Sequence, residues 1–224
     1  MAYSRFSIIV AIDSNTGIAL NGKMPWHNTS DMNFFRETTT GRGKNVVVMG
    51  RRTYETIPQR NRPLFNRRCC VLSKSWNQES NLDVSVYASI PELLTDLGLS
   101  RKRYDRVFVI GGESVYSQFL SKYLYLCDKI YVTKFRDNYQ CDKFFPWDDV
   151  KTFRPIHSPS VFHSFTRFCV SPDVVHGEKV YLDLLREIID TGEVCADRTG
   201  VGTQALFGRQ LRFDIQSSIP VVPT

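Results

Sequence analysis

The sequence predicts an α/β domain with a central, mostly parallel sheet, an antiparallel C-terminal strand and flanking helices. Three observations predict it. Short apolar runs suited to strands buried on both faces alternate with stretches of helical periodicity. Glycine-bearing turns join strands directly to helices at Gly50 and at Gly111-Gly112. No helical pattern separates the last two strand-like runs, so these should lie antiparallel to part of the sheet.

The elements follow in order. Phe6-Ser7-Ile8-Ile9-Val10-Ala11-Ile12 is a buried strand, and a helix is expected over 30–38 with Ser30 as its N-cap. Asn45-Val46-Val47-Val48-Met49 is a second buried strand, ended by Gly50 and followed by a short helix that Pro58 stops. Strands are expected over 69–73 and 84–87, then a helix to about Leu97 with Pro91 in its first turn. A central-type strand over 106–110 leads through Gly111-Gly112 into a helix over 113–120. Runs over 129–133 and 161–170 complete the domain, which is read as residues 1–170 with a linker over 171–176. A new unit, 177–224, opens with Val180, Leu184, Leu185, Ile188 and Ile189 on one helical face, ended by Gly192. Strand-like stretches at 205–207 and 211–215 follow, but this unit has too few residues to bury a core of its own.

Composition narrows the function. The chain is 42% hydrophobic and 23% charged, ordinary for a soluble domain. It lacks the run of about 18 apolar residues that spans a membrane, and its start carries no signal-peptide pattern, so the cytosol is the expected compartment. Cys69, Cys70, Cys127, Cys141, Cys169 and Cys195 show no C-x-x-C or zinc spacing, so no metal is expected and all six read as reduced thiols. Cys69 and Cys70 are neighbours on a strand and point to opposite faces. The net charge of +6 is spread along the chain, which favours anionic small molecules over nucleic acid.

Two turns carry candidate chemistry: Val48-Met49-Gly50-Arg51-Arg52-Thr53 and Val109-Ile110-Gly111-Gly112-Glu113-Ser114. Helix N-termini present N–H groups and the positive end of the helix dipole, and glycine admits an anion close to the backbone. Two such turns in one sheet suit the phosphates of a dinucleotide, although neither is G-x-G-x-x-G and each alone fits an ordinary tight turn equally well. Asp31 and Phe35 share a helix face. A carboxylate beside apolar rings is costly to ionise unless it meets a donor pair, such as the N3–H and 2-amino group of a pterin. Asp31 alone also fits a first-turn acid favoured by the dipole.

In combination these residues resemble the dihydrofolate reductase family. Ala11, Gly17-Ile18, Asn21-Gly22-Lys23-Met24-Pro25-Trp26 and Asp31 match its opening. Met49-Gly50-Arg51-Arg52-Thr53-Tyr54-Glu55-Thr56-Ile57-Pro58, Asn61-Arg62-Pro63-Leu64 through Arg67, and Val71-Leu72-Ser73 follow in the family's order. Val109-Ile110-Gly111-Gly112-Glu113-Ser114-Val115-Tyr116, Thr133 and Phe144-Phe145-Pro146 complete a likeness that covers about residues 5–170.

The resemblance implies a dihydrofolate-reductase-like fold and NADPH-dependent reduction of dihydrofolate, with hydride transfer to pterin C6 and protonation at N5. By it Asp31 is the active-site carboxylate, with Trp26 and Thr133 in the catalytic group and Thr133 supporting Asp31. The carbonyls of Ile9 and Ile110 face the pterin, and Ala11 and Tyr116 lie at the same site. Met32, Phe35, Thr56, Ile57 and Leu64 wall the p-aminobenzoyl group, and Arg67 pairs with the α-carboxylate of the glutamate tail. On the cofactor side stand Ala11, Ile18 and Gly22, the turn Gly50, Arg51, Arg52 and Thr53, and the turn Gly111, Gly112, Glu113, Ser114 and Val115. Ser73 and Lys74 take the 2′-phosphate. The loop from about Gly17 to Trp26 closes over the nicotinamide, and the Gly111–Gly112 peptide is expected to be cis. Lys74 stands where the family often has Arg, keeping the charge without the bidentate fork. Phe65-Asn66 replaces a Lys-Gly or Pro-Gly pair, and Asn66 tolerates the left-handed turn this requires. Antifolates are expected ligands.

The tail resembles the start of a thymidylate synthase, through Tyr181-Leu182-Asp183-Leu184-Leu185, Asp197-Arg198-Thr199-Gly200-Val201-Gly202-Thr203 and Phe207-Gly208-Arg209-Gln210-Leu211-Arg212-Phe213. That implies a truncated synthase portion, inactive on its own, with Arg198 on the nucleotide phosphate, and a full-length fusion that dimerises through the synthase. Two other readings compete with the reductase. One is a non-catalytic binding module, disfavoured by the presence of Asp31 and Trp26. The other is a reductase of a different pterin or pyrimidine, disfavoured by Arg67.

Overall fold

The computed structural model describes residues 5–76, 84–99, 103–151, 153, 155–172, 177–195, 203–206 and 208–209. Its centre is an eight-stranded sheet. The strands are β1 (Phe6–Ile12), β3 (Asn45–Gly50), β4 (Arg67–Leu72), β5 (Val84–Tyr87), β6 (Val107–Gly111), β7 (Cys127–Phe135), β9 (Ser160–Val161) and β10 (Phe165–Val170), in the order β5-β4-β3-β6-β1-β7-β10-β9. Neighbours from β5 through β7 pair in parallel, and β10 runs antiparallel to β7 and to β9. The expected mostly parallel sheet with an antiparallel C-terminal strand is what forms. Of the last two strands, β7 lies parallel to β1, and the chain reverses only at β10.

Strand alternation sorts the core into two layers. Val46, Val48 and Cys70 face one side, where α3 (Ile90–Leu99) and α4 (Glu113–Tyr123) supply Leu93, Leu94, Leu97, Val115 and Phe119. Val47, Met49 and Cys69 face the other, against Phe34 and Phe35 of α1 (Thr29–Thr40) and Tyr54 of α2 (Arg51–Thr56). Burial on both faces explains why these strands are continuously apolar. Cys69 and Cys70 do part to opposite faces, and Cys70, Cys141 and Cys169 are free thiols.

Local differences from the sequence expectation have identifiable causes. Helix α1 is capped by Asn28, not Ser30: Asn28 is extended (φ −136°) and its side chain accepts from the Asp31 N–H at 3.0 Å. The helix therefore starts earlier and carries Asp31 inside its first turn. The run 161–170 divides into β9 and β10 around a tight reversal in which the Phe162 N–H donates to the Phe165 carbonyl and the two rings stack at 4.5 Å. A short ribbon of β2 (Gly17–Ala19) and β8 (Lys143–Phe144) had no clear sequence signal.

In the tail, α5 (Gly177–Thr191) ends where Gly192 donates to Ile188, as expected. It packs on the 3-10 turn Leu124–Leu126, and Arg186 donates to the Ser121 carbonyl at 3.1 Å. The apolar face splits: Leu184 and Ile188 are half-buried, whereas Leu185 and Ile189 are exposed. β11 (Glu193–Cys195) pairs with β12 (Thr203–Ala205), and buried Glu187 accepts from Arg209 Nε at 2.7 Å. The strand expected over 211–215 and Arg198 lie outside the described residues. Among the described residues no helix is long and apolar enough to cross a membrane.

Candidate active site

A cleft of about 1550 Å³ opens across the carboxyl ends of β3, β4 and β6 and along β1. Ile9 and Ala11 of β1 form its floor, with Ile18 and Gly22 from the loop that follows. α1 brings Asp31, Met32 and Phe35; Thr56, Ile57 and Leu64 continue that wall. The opposite end is lined by Gly50, Arg51, Arg52 and Thr53, by Ser73 and Lys74, and by Ile110, Gly112, Glu113, Ser114, Val115 and Tyr116. Among the described residues, those picked from sequence converge on one cavity, with four exceptions: Trp26, Thr133, Arg67 and Gly111.

Each exception has a structural place. Thr133 is buried beneath the cleft and its side chain hydrogen-bonds Asp31. Trp26 is buried against Phe135 and Tyr139, with ring centroids 5.1 and 5.2 Å away. Gly111 forms the cis peptide with Gly112, as expected, and its φ of 115° is the region that excludes a side chain. A Cβ there would also meet the Tyr116 ring at 3.1 Å. Arg67 sits in a neighbouring depression with Arg36, Glu37, Thr40, Phe65 and Asn66. Its Nη1 donates to Thr39 Oγ1 at 2.8 Å and its Nε to the Phe65 carbonyl at 3.1 Å. The guanidinium faces the Phe35 ring 5.8 Å away, so Phe35 stands between Arg67 and the main cleft. Asn66 takes φ 56°, the left-handed turn expected of it.

Electrostatics single out Asp31. Burial raises its pKa from the ordinary carboxylate value, while the Thr133 hydrogen bond and the Arg167 charge pull it back. Tyr116, wholly buried, has its phenol pushed far up by burial and so stays a neutral donor. It donates to the Ile9 carbonyl at 2.9 Å and thereby ties α4 to the floor. At the other end, Arg51 pairs with Glu55 at 2.7 Å across an exposed helix turn.

The two glycine turns are packed against each other. A Cβ on Gly112 would lie 3.1 Å from Thr53 Oγ1, and one on Gly50 would lie 3.3 Å from Val115 Cγ2. The cleft-side loops are stitched separately. Buried Asp13 accepts from the N–H groups of Asn15 (2.8 Å), Gly17 (2.7 Å) and Tyr139 (3.0 Å). Asp142 accepts from the Asn21 N–H at 3.2 Å and donates to the Ala19 carbonyl at 2.9 Å. Sequence reasoning passed over Asp13 and Arg167. The signals were an Asp two residues before Asn15, a turn-forming spacing, and a lone Arg inside the otherwise uncharged run Phe165-Thr166-Arg167-Phe168-Cys169-Val170.

Fold and cleft are those of an α/β protein that takes its ligand outside the carboxyl ends of parallel strands. The chain belongs to the dihydrofolate reductase family, whose model matches residues 5–167. Residues 179–224 match the thymidylate synthase model. Among curated proteins it is similar to the bifunctional dihydrofolate reductase-thymidylate synthase 2 of Arabidopsis thaliana, 31% identical over 99% of this chain and 47% of that protein. The bifunctional dihydrofolate reductase-thymidylate synthases of Leishmania major (32% identical, 98% of this chain, 49% of that protein) and Glycine max (30%, 98% and 50%) are further relatives. The chain spans about half the length of the curated relatives it matches.

The raised pKa of Asp31 predicts a pH-dependent effect on stability. Below the ordinary carboxyl value both folded and unfolded chains carry the proton, and burial costs nothing extra. As pH rises, the unfolded chain loses its proton first, and the stability of the parent falls until the folded carboxyl ionises too. Asp31→Asn removes that fall, so its advantage over the parent should open with rising pH and then level off. Urea denaturation across a pH series measures the gap. A parent that gained on the Asn variant as pH rose would mean that Thr133 and Arg167 outweigh burial.

Proposed function

We propose that this chain reduces 7,8-dihydrofolate to tetrahydrofolate with NADPH as the hydride donor. The observation that carries the proposal is the Asp31 carboxylate: it is 6% exposed, hydrogen-bonded by Thr133, and set in the wall of a cleft otherwise apolar at that end. A carboxylate so placed calls for a ligand with paired N–H donors, and a pterin ring presents them. Asp31 would orient the ring and favour protonation at N5. Ile9 and Ile110 would border the same ring, while Met32, Phe35, Thr56, Ile57 and Leu64 would hold the p-aminobenzoyl group. Arg67, already oriented by Thr39 and Phe65, would take the glutamate α-carboxylate.

The donor set at the far end fits a dinucleotide. Arg51, Arg52, Thr53 and Ser114 supply cationic and hydroxyl groups beside two glycine turns where a Cβ would be crowded, and Ser73 and Lys74 follow β4. When bound, the nicotinamide supplies the hydride delivered to pterin C6. The residues of this chain bind it, exclude water through the stitched loop over 17–26, and hold the acceptor ring in place.

We read residues 1–170 as the reductase domain, 171–176 as a linker and 177–224 as a synthase portion with no methyl-transfer activity of its own. Thymidylate formation needs a thiolate beside the pyrimidine, and the Pro-Cys-His context of that nucleophile is absent from the sequence. A dimer formed through a complete synthase domain belongs to the same reading.

Three measurements test the reductase. Asp31→Asn should lower turnover by ~10²–10⁴, the scale for a proton-transfer group; the assay is NADPH absorbance loss with dihydrofolate, and parent-like turnover refutes the assignment. Arg67→Leu should weaken dihydrofolate binding by roughly 1.5–3 kcal/mol while sparing a pterin without the glutamate. Equal losses for both ligands would remove Arg67 from the carboxylate site. NADPH should be preferred over NADH, and the double change Ser73→Ala, Lys74→Ala should narrow that preference. Equal use of both cofactors by the parent would displace the 2′-phosphate from this position.

A further inference from the structure

Arg167 is a charged residue in the middle of an antiparallel strand whose other members are Phe165, Thr166, Phe168, Cys169 and Val170. In the β10–β7 register it lies directly opposite Thr133. Directly opposed residues of an antiparallel pair project to the same face, so Arg167 and Thr133 rise side by side toward α1. Thr133 reaches the Asp31 carboxylate. Arg167 reaches the start of the same helix: its Nη2 donates to the Ser30 carbonyl at 3.4 Å, and its Cζ lies 4.0 Å from the centroid of the Phe34 ring. Phe165 and Phe162 close the cage at 5.1 and 5.3 Å.

The half-buried guanidinium thus lies among aromatic faces. Its Nε is buried and has no hydrogen-bond partner among the described residues. Asp31 and Glu37 attract it through space without an ion-pair contact. Three aromatic faces stabilise a cation weakly compared with a carboxylate in contact. A strand residue that served packing alone would be met here by an apolar side chain at less cost.

We propose that Arg167 is a positioning residue for the reductase site: a fixed positive charge behind Asp31 that favours the anionic carboxylate there. The proposal rests on the reading of Asp31 as the pterin-binding carboxylate. The groups around Asp31 leave few other candidates. β7 contributes the Thr133 hydroxyl, β1 contributes apolar Ile9 and Ala11, and Arg167 is the charged group that acts on Asp31 among the described residues. Glu37, on the same helix, is the second carboxylate that attracts Arg167. Charge at this point opposes the effect of burial on Asp31.

The test is titration of the Asp31 carboxyl in the full chain without ligand, by carbon NMR of aspartate-labelled protein. The Asp31 signal is identified by its loss in Asp31→Asn. In Arg167→Met the proton affinity of Asp31 should rise severalfold, moving the midpoint to higher pH, while Arg167→Lys should stay near the parent. Arg167→Gln is a second neutral variant should the Met variant fold poorly, and it should shift in the same direction. The limb of the turnover–pH profile that depends on Asp31 should move upward with the midpoint. An unmoved midpoint in the neutral variants overturns the proposal. So does an equal shift in Lys and Met, which would mean that packing and not charge is responsible. Because the titration needs no turnover, its outcome is separate from that of the reductase assay. Full turnover in Asp31→Asn would sink the reductase reading, whereas an unmoved midpoint sinks the role of Arg167 alone.

Discussion

The Asp31 carboxylate is held in the seam between α1 and the β7–β10 edge of the sheet, where burial opposes its charge and Thr133 and Arg167 favour it. Much of the local architecture serves that placement. The Asn28 cap starts α1 early enough to put Asp31 in the first turn, where the helix dipole also favours an anion. The reversal of direction at β10 brings a strand from late in the chain against β7, and with it the cation. A wholly parallel sheet would have needed a crossover helix at this edge, covering the ground on which α1 and the Phe162–Phe165 turn meet.

The rest of the cleft is fastened by a few polar contacts that act across stretches of sequence. Tyr116 fixes α4 to β1 through the Ile9 carbonyl. Asp13 and Asp142 bind the loop after β1 to the segment 137–145, and Glu113 accepts from the Phe144 N–H at 2.8 Å. Hydrogen bonds to charged acceptors in partly dry surroundings are stronger than neutral ones. The loop over the cleft is accordingly an ordered, double-stitched segment that contains the ribbon strand β2, not a bare tether.

Much of this was legible in the sequence. Apolar runs gave the strands, because a strand buried on both faces has little freedom in composition. The glycine turns marked the helix starts, because a side chain would crowd Thr53 at Gly112 and would be strained at Gly111, whose φ is 115°. The clustering of site residues followed from the order of motifs along the chain. What escaped was decided by partners distant in sequence. Asp13 meets Tyr139 across 126 positions, and the β2–β8 ribbon joins segments just as far apart, with only three and two residues to signal it. The start of α1 was missed for a local reason, since Asn28 and Ser30 are both good caps and the backbone at Asn28 settled the choice. The field of Arg167 needs the β10 register before it can be seen at all.

The interlocked glycine turns have a consequence for how this sequence can drift. Gly50 is bounded by Val115, from the other turn, and Gly112 is bounded by Thr53, from the first. Each helix start therefore limits the volume allowed at its counterpart some sixty residues away. A larger residue at 50 or 112 should be tolerated better when 115 or 53, respectively, becomes smaller. Across descendants of this chain the two turns would then carry one shared record of change, as if they were a single inherited part.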